Sequence, residues 1–215
     1  VLISAPSKSD NVKTIVYNVN ENILDGTEDV ISAASCTTNC LAPIANILEK
    51  SIGIENGYMS TIHAYTNDQA TLDISHKKGI KSRRGRACAA NIIPTSTGAA
   101  SAIGKVIPSL EGKLDGIAYR VPVEDGSMIE LTFIPKRETS VDEINGLFTN
   151  NQNETLGITF DPIVSSDIIG KKYGALVDGL STSINNKLVK VVGWYDNEYG
   201  YTAQMLRTAK ILFKK

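Results

Sequence analysis

Apolar residues along the chain fall into short β-branched runs at the start, alternating or helical patterns through the middle and a helical pattern at the end. Val1 to Ser4 and Thr14 to Tyr17 predict two strands separated by a Pro/Ser/Lys/Asp loop. From Thr38 to Lys50, Leu41, Ile44, Ala45, Ile47 and Leu48 recur at helical spacing behind the capping residues Ser35, Thr37 and Thr38. Cys36 therefore sits at a helix start. Ile54 to Tyr65 alternates as a strand with His63 near its C-terminal end, and Thr66 to Ala90 then turns polar and basic, a long loop. Thr97 to Ile107 predicts a helix, and Gly116 to Pro122 with Ser127 to Ile134 predicts a hairpin about Asp125 and Gly126. Val141 to Asn150 reads as a short helix, 157–184 as strand-like pieces, Lys187 to Tyr195 as a strand and Glu198 to Phe213 as a closing helix.

The sum is a mixed sheet covered by helices, an α+β domain. The opening strands and the closing helix each need a partner sheet and belong together. An apolar strand that starts at Val1, with no Met and no cleavable leader, is expected to be the cut end of something longer.

Composition changes this picture little. With 215 residues and 42% hydrophobic content the chain is long enough for one packed domain plus fragments. Twenty-two basic against 23 acidic residues leave a net charge of -1, so no global field recruits nucleic acid or an anionic membrane, and attraction to phosphate must be local. The odd set Cys36, Cys40 and Cys88 argues for a reducing compartment rather than a disulfide framework. The apolar runs at Ile31 to Ala34 and Ile92 to Ile93 fall short of the roughly 18 residues of a membrane helix. No Gly-rich dinucleotide fingerprint, Walker loop or metal-ligand spacing occurs.

Chemistry concentrates in Ala34 to Cys40. A thiol at a helix N terminus feels the positive dipole end and unpaired N–H groups, which favour thiolate and suit the oxyanion of an adduct on an aldehyde. The alternative is a small buried cysteine capped by polar neighbours. Cys40, one turn on, reads as packing. His63 is either the base that pairs with Cys36 or a satisfied structural histidine; His76, in the polar loop, reads as solvated. Donors for a small anionic substrate are Ser35, Thr37, Thr66, Thr95, Thr97, the Gly98 amide, Arg83, Arg84, Arg86 and Arg120. The basic run Lys77 to Arg86 is otherwise a solvated loop or an interface segment. Without interleaved aromatics it does not read as a nucleic-acid surface.

Five strings in order, Ser35-Cys-Thr-Thr-Asn-Cys-Leu-Ala-Pro43, His63-Ala-Tyr-Thr66, Asn91-Ile-Ile-Pro-Thr-Ser-Thr-Gly-Ala-Ala100, Arg120-Val-Pro122 and Trp194-Tyr-Asp-Asn-Glu-Tyr-Gly-Tyr201, resemble the glyceraldehyde-3-phosphate dehydrogenase family from end to end. The resemblance implies an α+β catalytic domain with a mixed, largely antiparallel sheet and helices on one face. Terminal pieces of an otherwise missing Rossmann α/β domain would accompany it. Residues 1–35 would be that domain's last strands, 36–196 the catalytic domain and 197–215 a helix packing back. It implies that Cys36 forms a hemithioacetal and then a thioester, that His63 activates the thiol, and that inorganic phosphate releases 1,3-bisphosphoglycerate. Thr66 and Arg120 look like the cradle for the phosphate of glyceraldehyde 3-phosphate, and Ser35, Thr37, Thr97 and Gly98 like the site of the attacking phosphate. Arg84 resembles a further phosphate contact; the extra residues Ile80-Lys81 leave Arg83 and Arg86 as alternatives. Ser4, Asn197 and Tyr201 match positions at the nicotinamide end of NAD; NADP is not excluded, because the ribose-reading residue belongs to the absent half. A cytoplasmic homotetramer, with no nucleic-acid or membrane partner and no metal, completes the expectation. Erythrose-4-phosphate dehydrogenase shares the Cys-Thr-Thr-Asn-Cys run but differs at His63 to Thr66 and Ser96 to Ala100. A non-catalytic assembly module is the remaining alternative.

Overall fold

A computed structural model describes residues 1–69 and 71–213; residue 70, inside the expected 66–90 loop, lies outside the described residues. The opening segment forms β1 (Leu2–Ile3), β2 (Lys13–Thr14) and β3 (Ile31–Ser32), a parallel sheet in the order β1-β3-β2. The middle strand was not expected, because two residues carry no period to read, and the second expected strand at Thr14 to Tyr17 is shorter and earlier.

The larger unit follows as α1 (Cys36–Ser51), β4 (Ile54–Ala64), β5 (Ile93–Ser96), α2 (Ala99–Val106), β6 (Leu114–Val121), β7 (Ser127–Pro135) and α3 (Val141–Asn150). It continues with β8 (Leu156–Thr159), β9 (Ala175–Asp178), β10 (Ser183–Asn185) and β11 (Leu188–Tyr195), before α4 (Tyr199–Phe213). The strands make a mixed sheet in the order β5-β6-β4-β7-β11-β9-β8, with β10 also on β11. Only β4–β6 and β8–β9 are parallel, so the sheet is largely antiparallel, as the α+β reading requires.

Alternation explains which face is covered. Met59 of β4, Ile129, Leu131 and Phe133 of β7 and Val189 and Val191 of β11 share one face and are buried. Against them lie Leu41, Ile44, Ala45 and Leu48 of α1, Ile103 of α2 and Ile144 and Phe148 of α3, in one core. The expected helical stripe of α1 is thus the buried one, with Ile47 at its edge. A second cluster joins Ile15, Leu24 and Ile31 to Ile211 and Leu212, so α4 packs on the small sheet. The Tyr17 hydroxyl donates to Glu154 at 2.6 Å, and Arg207 of α4 reaches the same carboxylate at 3.2 Å.

The expected hairpin is wrong. β6 and β7 do not pair; β4 lies between them, parallel to β6 and antiparallel to β7. Alternating patterns specify a buried face and not a neighbour, and the 122–126 connection is long enough to step over one strand. The turn itself stands: Gly126 has φ 88°, and a Cβ there would come 2.3 Å from the Ser165 carbonyl oxygen. Gly126→Ala is expected to destabilise the fold by about 2–4 kcal/mol through left-handed strain and overpacking. Urea unfolding checks this; a loss below about 1 kcal/mol would show that the turn relaxes freely.

Candidate active site

α1 begins two residues earlier than the apolar spacing suggested, so Cys36 is its first residue and Ser35 its N-cap, accepting the Thr38 N–H at 3.1 Å. Ala34 just before it is buried with φ 58°, a left-handed conformation costly for a residue with a Cβ. The kink is held on all sides. The Ala34 N–H donates to the Ser32 hydroxyl at 3.1 Å, and the Tyr201 hydroxyl donates to the Ala34 carbonyl at 3.3 Å. The Asn39 amide donates to the Ala33 and Ser35 carbonyls, both at 2.9 Å.

The histidine arrives on β4. Its parallel register pairs His63 with Arg120 of β6, and beyond the irregularity at 54–56 the side chains of Met59, Thr61 and His63 share the buried face, which carries His63 to the start of α1. His63 Nε2 stands 3.5 Å from Cys36 Sγ. Nδ1 lies 2.7 Å from the Ala64 carbonyl, which can only accept, so Nδ1 carries the hydrogen. Arg120 Nη1 is 2.9 Å from the same nitrogen, but its two hydrogens are taken by the Ala64 carbonyl at 2.8 Å and the Thr66 hydroxyl at 3.0 Å. Nε2 is then the basic nitrogen, aimed at the thiol.

Electrostatics run against the expected thiolate. Burial pushes the Cys36 thiol above its ordinary value, outweighing the hydrogen bonds to Thr37 and the Arg120 charge that lower it. Burial, followed by the adjacent Arg120 guanidinium, pulls His63 down to about 4. Both shifts favour a neutral thiol beside a neutral imidazole, a pair in which His63 can accept the proton when the sulfur attacks. Tyr195, buried at the end of β11, completes the setting. Its hydroxyl is hydrogen-bonded to the Thr37 and Thr61 hydroxyls, each at 2.9 Å, and its ring meets His63 edge-on at 5.9 Å.

The other expected residues fall into groups. Thr66, Arg84 and Arg120 come together, and Asp68 sits among them. Arg84 is the loop arginine that reaches this group, also donating to Thr95 Oγ1 at 2.8 Å and the Ser96 carbonyl at 3.3 Å, while Arg83 and Arg86 are exposed. Ser35 and Thr37 flank Cys36. Thr97 and Gly98 open α2, where Thr97 Oγ1 accepts the Ala99 N–H at 3.2 Å; they share no hydrogen bond with the cysteine group. Ser4 is exposed at the C-terminal end of β1.

At Asn197 the Ala64 N–H donates to Ser127 Oγ at 3.0 Å, and that hydroxyl donates to Asn197 Oδ1 at 2.7 Å. Among the described residues the buried Asn197 Nδ2 has no partner, a donor that suits a ligand amide oxygen such as the carboxamide of a nicotinamide. The Tyr201 hydroxyl, pushed by burial and the neighbouring Cys36 up to about 12, stays protonated near it in sequence. Among the described residues no helix is long and apolar enough to cross a membrane, and no group of three or more His, Cys, Asp or Glu is placed to hold a metal. Sequence reasoning missed Asp68, Asn39, Ser127 and Tyr195 as site residues, although Asn39 and Tyr195 lie inside quoted strings.

The depressed His63 value fixes a stability trend. The unfolded chain takes up a proton near pH 6.5 and the folded chain only near 4, so this contribution is present above 6.5 and lost as pH falls through 4. From pH 7 to pH 4.5, the parent protein is expected to lose about 2–3 kcal/mol more stability than His63→Asn. Parallel urea midpoints would show His63 to be freely solvated instead.

A family model for the glyceraldehyde 3-phosphate dehydrogenase C-terminal domain matches residues 35–197. The chain is 56% identical over 218 residues to a glyceraldehyde-3-phosphate dehydrogenase of Clostridium pasteurianum, covering 100% of this chain and 65% of that protein. It is also 56% identical over 218 residues to that of Streptococcus pyogenes, covering 100% and 64%. The Clostridium acetobutylicum protein is 56% identical over 212 residues, covering 97% of this chain and 63% of its own length. The chain thus spans just under two thirds of the length of these curated relatives. With its motifs on one strained turn and one strand end, and a matching model over most of its length, the chain belongs to the glyceraldehyde 3-phosphate dehydrogenase family.

Proposed function

We propose that the chain is the catalytic portion of an NAD-dependent, phosphorylating glyceraldehyde-3-phosphate dehydrogenase, with Cys36 as nucleophile and His63 as its base. The observation that carries this reading is Cys36 Sγ at 3.5 Å from Nε2 of His63. Residues 1–35 and 197–215 are read as parts of the cofactor-binding unit, around residues 36–196 as the catalytic unit.

His63 takes the thiol proton as Cys36 sulfur bonds to the aldehyde carbon, and the resulting hemithioacetal oxygen lies near the N–H groups that open α1. Thr66, Arg84 and Arg120 hold the substrate's phosphate ester, Arg120 tying that grip to His63 through the Ala64 carbonyl. A nicotinamide cofactor bound there would supply the acceptor for the hydride that leaves the hemithioacetal carbon, so that Cys36 would be left as a thioester. Asn197 and Tyr201 would hold its nicotinamide end, with Ser4 alongside; NADP fits these residues equally. Inorganic phosphate, gripped by Ser35, Thr37, Thr97 and Gly98, then attacks the thioester carbonyl and Cys36 leaves as the thiolate, giving 1,3-bisphosphoglycerate. Oligomerisation as a homotetramer and a cytoplasmic setting belong to the same reading.

The complete enzyme of which this chain would be the catalytic portion is expected to reduce NAD with glyceraldehyde 3-phosphate only when phosphate or arsenate is supplied, while this chain by itself is expected to turn over poorly. Cys36→Ser is expected to abolish the reaction, and His63→Asn to lower kcat by about 100-fold. Equal kcat/KM on erythrose 4-phosphate would move the substrate assignment. A chain that neither turns over nor binds cofactor would favour the assembly-module reading.

A further inference from the structure

Packing alone does not decide which end of the Asn197 amide faces the site. The oxygen and the amino group of a side-chain amide are nearly the same size, so hydrogen bonding has to choose between them. The rest of the residue is fixed. Its neighbour Asp196 accepts the Glu198 N–H at 2.9 Å and the Tyr199 N–H at 2.6 Å through Oδ1, and the Gly170 N–H at 2.7 Å through Oδ2, which pins the backbone where β11 gives way to α4.

Ser127 makes the choice. It stands opposite Tyr195 in the β7–β11 pairing, and this register brings its hydroxyl, buried with the rest of the residue, to the level of Asn197. An N–H can only donate, so the Ala64 amide takes a lone pair of Ser127 Oγ at 3.0 Å and leaves the hydroxyl hydrogen to find an acceptor. Among the described residues that acceptor is Asn197 Oδ1, at 2.7 Å. A flipped amide would set two donors against each other in a place closed to water. Nδ2 is therefore the end left over, and it is the end with no partner among the described residues.

We infer that Ser127 is a specificity-determining positioning residue, which locks Asn197 with its amino group toward the site so that the site takes a carbonyl oxygen from the ring substituent of a pyridine-type ligand. The inference rests on the proposed reading of Asn197 as the contact at the nicotinamide end. Ala64 extends the lock toward the base: its N–H is held by Ser127, and its carbonyl accepts from His63 Nδ1 at 2.7 Å.

The probes are 3-acetylpyridine, whose substituent offers an oxygen and no N–H, and 3-methylpyridine, which offers neither. Their binding to this chain is followed by saturation-transfer NMR. Ser127→Ala is expected to weaken 3-acetylpyridine about threefold or more, to leave 3-methylpyridine unchanged, and to have no further effect in an Asn197→Ala background. Should Ser127→Ala not fold, Ser127→Cys, with a weaker donor, is expected to lose 3-acetylpyridine in the same sense and to a smaller degree. An equal loss for both probes, or the same loss without Asn197, would mean that Ser127 only supports the fold, and would overturn the inference. If Asn197→Ala loses 3-acetylpyridine while the Ser127 variants keep it, the Asn197 reading stands and the lock fails. If the parent does not bind 3-acetylpyridine, or Asn197→Ala binds it as well as the parent does, both fail.

Discussion

The register of β4 between its two neighbours is the constraint on which the site depends. Its parallel pairing sets His63 beside Arg120, and the antiparallel pairing of β7 with β11 sets Ser127 beside Tyr195. A slip of one residue would turn His63 to the opposite face of the sheet, away from α1. The buried Met59 and Thr61, on the same strand and face as His63, oppose such a slip, because each would exchange a place beside Leu131 or Ile129 of β7 for one on the outer face. Packing of α1 on this sheet is thus what converts a backbone pairing pattern into a sulfur–nitrogen contact at 3.5 Å.

Desolvation by the same packing sets the chemistry. It drives the thiol up and the imidazole down, so the resting pair carries no charge, and Arg120 reinforces the imidazole's shift. Arg120 joins two tasks: it bonds to the Ala64 carbonyl that orients His63, and it belongs to the group built around Thr66. Charge brought to that group is felt at His63. Asp68, Arg84 and Arg120 all contribute to its protonation equilibrium, Asp68 in the opposite direction to the two arginines.

Much of this was legible in the sequence where a long period or a turn residue carried it. The helix at Val141–Asn150 and the strand Ile54–Ala64 that carries His63 follow from apolar spacing alone. Two-residue strands such as Ile31–Ser32 lack a period, and the partners of β6 and β7 are set by the insertion of β4, which no local pattern encodes. In the site, the dipole argument placed Cys36 at a helix start, where the helix does begin, but burial works against the thiolate that the dipole favours, and the surrounding protein's desolvation is not visible in a string. Asp68 passed unnoticed in a polar loop because its significance lies in Arg84 and Arg120, distant in sequence. Tyr195 lay in a quoted string, but its bonds to Thr37 and Thr61 bridge elements far apart along the chain.

The central claim is that His63, neutral at rest, acts as the base for a buried Cys36 thiol. The pH profile of Cys36 alkylation by iodoacetamide, compared with that of His63→Asn, tests it most directly. A neutral-pH rate in the parent that falls only as His63 protonates toward pH 4, and that disappears in the variant until alkaline pH ionises the thiol, is the predicted result. Superimposable profiles would contradict the pairing.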